Sequence, residues 1–137
     1  MSLSPCIQEL RNEWLPHVTD AALTRVIELL EKGSPLLIYG AFTKALPMGC
    51  LATHIAWHHP RTENLNQDAG IIWLSKVAGL NPATSQVIRS WDIAGMNDWE
   101  LRQTLLQEFR LEQDRRCGTE STERIETSTY DDCMSVC

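Results

Sequence analysis

The sequence predicts an all-α fold, a compact bundle of five or six helices with a polar, acidic C-terminal tail. Three observations predict it. Apolar residues recur at three- and four-residue spacing, in segments that begin at capping residues and end at Pro or Gly. Only one short apolar run is compatible with a strand, and no second strand candidate exists to pair with it. The composition, 43% hydrophobic and 22% charged with five Trp, is that of a packed globular protein, because Trp buries a large area when it finds a partner for its indole N–H. The length of 137 residues suits one domain with an ordinary core. The helical domain is expected over 1–116 and the tail over 117–137.

Ser4 and Pro5 open the first helix, since Ser caps and Pro is tolerated at the first helical position, and Pro16 closes it. Asp20 caps a second helix reaching Lys32, with Leu23, Val26, Ile27 and Leu30 on one face, and Gly33 stops it. Residues 35–46 are read as a short helix or an irregular buried segment. Pro47 begins a third helix that Pro60 ends. A fourth spans about 66–78, with Ile72, Trp73 and Val77 inward and Gly79 as its stop. Asn81 and Pro82 cap a fifth, reaching about Trp91. Asn97 and Glu100 have the spacing of a capping box for a last helix over 98–116, with Leu101, Leu105, Leu106 and Phe109 inward. The segment 117–137 is polar and carries a net −4 of the chain's −6. It has too little apolar surface to offset ordering, so it is expected to be mobile or ordered only by docking.

Side-chain chemistry concentrates in the third helix, where three of the four histidines lie. Cys50, His54 and His58 fall at successive four-residue steps, so neighbours along the row can touch. Thiolate and neutral imidazole both suit zinc or another transition metal. Cys50 and His58 would stand about 12 Å apart on a helix, so a metal site would pair His54 with one of them. The remaining ligands would come from residues such as His17, Cys117, Asp92 and Asp98. Neither a His-Glu-x-x-His pattern nor a zinc-type Cys-x-x-Cys is present. A second chemical reading makes Cys50 a thiolate in the first turn of the helix, with His54 as its base. The plainest reading makes the helix central packing, apolar nearly all round, with His54 and His58 hydrogen-bonded to neighbours.

Residues 77–89 (Val-Ala-Gly-Leu-Asn-Pro-Ala-Thr-Ser-Gln-Val-Ile-Arg) resemble the helix-turn-helix of repressor families. The resemblance spans 73–91 and implies a DNA-binding regulator whose second helix enters the major groove. It departs from the pattern in spacing, in Ser75 where Ala is usual, and in having only Arg89 basic in the reading helix. The acidic charge also disfavours nucleic acid.

No Gly-rich phosphate loop, nucleophile elbow or acid pair stands out, and no apolar run approaches the roughly 18–20 residues of a membrane span. The N-terminus lacks the layout of a signal peptide. The sequence therefore predicts a cytoplasmic protein that acts by binding, as a regulatory or adaptor module without a catalytic motif or cofactor, whose partner is a protein and not a membrane. Trp91 and Trp99 flank the turn around Gly95, and an exposed Trp there would mark a partner surface.

Overall fold

A computed structural model describes residues 4–44 and 46–123, with the side chains of 118–123 not described. It is all-α. Among the described residues there are six α-helices: α1 (Ser4–Glu9), α2 (Asp20–Lys32), α3 (Leu51–Ala56), α4 (Ala69–Ile72), α5 (Gln86–Ala94) and α6 (Trp99–Glu123). α1 continues through a π turn (Leu10–Trp14) and a 3₁₀ turn (Leu15–His17), and α4 through a π turn (Trp73–Val77). A 3₁₀ turn (Gly95–Asn97) joins α5 to α6. Among the described residues, extended pairing is limited to two isolated bridges from Gly49, to Leu37 and to Thr43. No helix among them is long and apolar enough to cross a membrane.

α3 is the centre. All six of its residues are buried, and α2 and α4 pack on it. Burial of this helix agrees with the packing reading, but its length does not. The helix expected over 47–59 is confined to Leu51–Ala56. On the N-terminal side, the Leu46–Pro47 peptide is cis and Gly49 pairs with Leu36 and Ile38 instead of entering the helix. On the C-terminal side, the Thr62 hydroxyl donates to the Ala56 carbonyl at 2.7 Å and draws the chain away. The close approach of α4 depends on Gly70, where a Cβ would lie 2.4 Å from Thr53 Oγ1 and 2.9 Å from the Thr53 backbone nitrogen.

Other boundaries shift for local reasons. Thr19, not Asp20, caps α2: its hydroxyl accepts from Ala22 N at 3.1 Å and donates to the His58 carbonyl at 2.7 Å. Gly33, in the left-handed region, closes α2 as expected. Residues 35–46 are irregular, as one of the two readings had it, but only Leu37 is buried among those described. That segment is held from outside, because Trp91 Nε1 donates to the Ile38 carbonyl at 2.7 Å and Gly40 N donates to Asp92 Oδ1 at 3.1 Å. The expected fourth helix begins later, at Ala69, and turns π at Trp73. α6 is capped by Asp98, whose Oδ1 accepts from Leu101 N at 3.1 Å, in place of the Asn97–Glu100 box.

α6 also runs seven residues beyond Arg116, to Glu123. Adding a residue to an existing helix gains a hydrogen bond without a new nucleus, so Gly118 does not stop it. The rest of the expected tail, 124–137, lies outside the described residues.

The two ends of the described chain are tied to the body by charge. Glu9 caps α5 from a distance: its Oε1 accepts from Gln86 N at 2.8 Å, and its Oε2 accepts from Val87 N, the Ser85 hydroxyl and Trp14 Nε1. A carboxylate at a helix N-terminus satisfies open N–H groups and complements the dipole. Arg11 meets Glu108 through two bonds, at 2.7 and 2.8 Å. Arg116 donates to the Leu15 and Val18 carbonyls and to Asp20 and Glu112.

Candidate functional site

The three residues singled out as metal or thiol candidates are close in the chain but do different work. Cys50 sits just before α3 and is 1% exposed, with Sγ 3.7 Å from Thr53 Oγ1. Burial pushes its thiol up to about 11, so desolvation outweighs any help from the helix end and the thiol stays protonated. His54 is buried, and its Nε2 donates to the Leu36 carbonyl at 2.8 Å. Burial, the largest influence, holds its pKa below the usual value against the opposing Leu36 bond. His58 lies beyond the end of α3, half-buried, with Nδ1 donating to the His54 carbonyl at 3.0 Å.

Two of the three side chains thus spend a ring nitrogen on a backbone carbonyl, which is the satisfied-packing arrangement. Three of the four further ligand candidates, all but His17, are also engaged. Asp92 accepts from Gly40 N and Asp98 from Leu101 N, while Cys117 is disulfide-bonded. Among the described residues, no three of His, Cys, Asp and Glu gather where one ion would bind them.

The helix-turn-helix segment keeps its two helices but not the expected turn. Eight residues, Ala78 to Ser85, separate the π turn from α5. The fifth helix starts at Gln86 and not at Asn81–Pro82, because Asn81 forms its own turn. Its Oδ1 accepts from Ala83 N at 2.8 Å, and its carbonyl accepts from Thr84 N and Ser85 N at 3.0 Å. Val87, Ile88 and Trp91 face the core, and the N-terminus of α5 is occupied by Glu9.

The surface feature that stands out is a different one. At the corner where α5, the 3₁₀ turn and α6 meet, Trp99 is 67% and Ile93 73% exposed. By contrast Trp14, Trp73 and Trp91 are fully buried. Tyr39, itself exposed, lies against the corner; a Cβ on Gly95 would come within 2.5 Å of its ring, and its hydroxyl accepts from Asn97 Nδ2 at 3.2 Å. Gly95 makes the corner possible, since its φ of 51° reverses the chain where a side chain would both strain and collide. Met96 is half-buried beside it.

Trp99 is exposed yet positioned. The Arg102 guanidinium carbon lies 5.8 Å from its ring centroid, and the same guanidinium donates to the Leu30 and Glu31 carbonyls at the end of α2. A cation over the indole face, itself fixed to backbone, orients the ring in advance. Single exposed apolar residues are ordinary, but grouped aromatic and aliphatic side chains mark interaction sites. The sequence names Trp99 as a conditional marker only. Helical periodicity does not carry across the Gly95 turn, so it leaves open which of Trp91 and Trp99 faces out.

No family model, curated protein or solved structure matches the chain.

Proposed function

We propose that this protein is a cytosolic binding module of the regulatory or adaptor kind, and that it engages a protein partner through the Trp99 corner. The observation that carries the reading is a Trp left two-thirds in water and held by Arg102, with Ile93 also exposed and the exposed Tyr39 packed against the Gly95 turn. Covering such residues with a partner's surface removes apolar area from water, and Trp is the residue type most often dominant in interface energetics. The chemical candidates give less support, since Cys50 and His54 are buried and bonded internally.

The test is proximity labelling in the source cells with the wild-type protein, with Trp99→Ala plus Ile93→Ser, and with Arg89→Gln as a remote surface control. A set of neighbours captured by wild type and control, and lost with the corner variant at unchanged thermal stability, is expected. Capture of the same set by the corner variant would remove the proposal.

A further inference from the structure

Beside the Trp99 corner, and continuous with it through Tyr39 and Met96, a hollow of about 490 Å³ opens between the end of α2, residues 33–44 and the Gly95–Asn97 turn. Its size falls in the range of about 300–1,000 Å³ typical of ligand sites. Leu37, Ile38 and Met96 give it its apolar part, Ser34, Tyr39 and Asn97 line it as well, and Lys44 is the single charged residue lining it. No described residue pairs with the Lys44 ammonium. A second cation stands behind the rim: Arg102 has a guanidinium nitrogen 3.4 Å from where a Cβ on Gly33 would be. The nearby acids, Asp92 and Asp98, are not part of the lining, and each accepts a backbone N–H.

A hollow of mixed lining, with apolar side chains beside Ser34, Tyr39 and Asn97 and one unpaired cation, is complementary to a group that carries one negative charge next to a small apolar side chain. We infer that the hollow receives the C-terminal end of the partner polypeptide, with its α-carboxylate on Lys44 and an apolar last side chain against Leu37, Ile38 and Met96. Capture of a terminal carboxylate is an established mode of peptide recognition. The inference rests on the binding-module reading, because the corner supplies the surface over which the preceding residues of such a partner would run. That continuity favours a chain terminus over a free small carboxylate.

The probe is the peptide N-acetyl-Gly-Ser-Gly-Leu with a free C-terminal carboxylate, compared with its C-terminal amide and with isovalerate. Binding is read from backbone amide NMR shifts of Leu37, Ile38, Met96 and Asn97. The free acid is expected to move these signals and to bind at least tenfold more tightly than the amide. Lys44→Gln should abolish that preference and Lys44→Arg should retain it. Equal binding of acid and amide, no response to either, a preference that survives Lys44→Gln, or isovalerate binding as tightly as the peptide would each overturn the inference. The outcomes separate from those at Trp99. Loss of the carboxylate preference with Trp99-dependent capture intact removes the terminus alone. A Lys44-dependent preference without Trp99-dependent capture removes the corner alone.

Discussion

Replacing Gly70 by Ala tests the packing of α3 against α4 directly. The added Cβ would stand 2.4 Å from Thr53 Oγ1, 2.9 Å from Thr53 N and 3.0 Å from Thr53 Cα. Two of those three atoms are backbone of a fully buried helix, so a rotamer change at Thr53 does not relieve the clash. α4 must move away by roughly 1 Å to restore ordinary contact, in an interior packed like a crystal. Overpacking of this kind costs about 3 kcal/mol, the upper end of the usual range. Ala gains about 1 kcal/mol over Gly in a helix, which leaves a net loss of about 2 kcal/mol. With a urea slope of about 2 kcal/mol/M, the unfolding midpoint should fall by about 1 M. The melting temperature should fall by about 6–8 °C, at about 3–4 °C per kcal/mol for this size. Equilibrium urea unfolding followed by circular dichroism gives the number. A neutral or stabilised Gly70→Ala variant would mean that only the helix-propensity term operates, and would refute the close α3–α4 contact.

Three more predictions follow from single groups. Glu9→Ala should lower stability by about 3 kcal/mol, because it strips four donors of their acceptor; a melting temperature within a degree or two of wild type would contradict the capping role. His54 resists protonation when folded but not when unfolded, so the unfolded state binds more protons as pH falls below about 6.5. Stability should therefore be full above that pH and decline below it, toward the depressed folded value, with His59 adding a term of the same sign. His54→Gln should flatten this slope above the carboxylate range, and an unchanged slope would argue against the assignment. Cys50, buried with its thiol near 11, should escape iodoacetamide in the native protein at pH 8 and react on denaturation, as read by peptide mass spectrometry; rapid native labelling would show an open site.

What the sequence made legible was local. The end of α2 could be placed because Gly33 and the apolar row Leu23, Val26, Leu30 are decided within a few residues. The central position of the histidine segment was legible because its faces are apolar all round. Its length was not, since the short helix is set by partners elsewhere: Leu36 and Ile38 pair with Gly49, and the Leu36 carbonyl takes the His54 ring. The start of α5 was misplaced because Asn81 turns the chain and a carboxylate from α1 caps the helix, 77 residues away. For the candidate site, Trp99 was legible only as an alternative to Trp91, because orientation is lost at the Gly95 turn. The hollow beside it, built from three separate segments, left no trace in the residue pattern.

The anchoring of α1 has a consequence for synthesis. Residues 4–14 leave the ribosome well before the distant groups that fix Glu9 and Arg11, which lie 76–97 positions downstream. Until Ser85, Gln86 and Glu108 have emerged, Glu9 and Arg11 lack these anchors, although Trp14 can already meet Trp73, its edge-to-face neighbour at 5.3 Å. A ribosome arrested before Ser85 should therefore present an unanchored α1 that holdase chaperones seize, whereas synthesis past Glu108 lets α1 close on α5 and α6 in one late step.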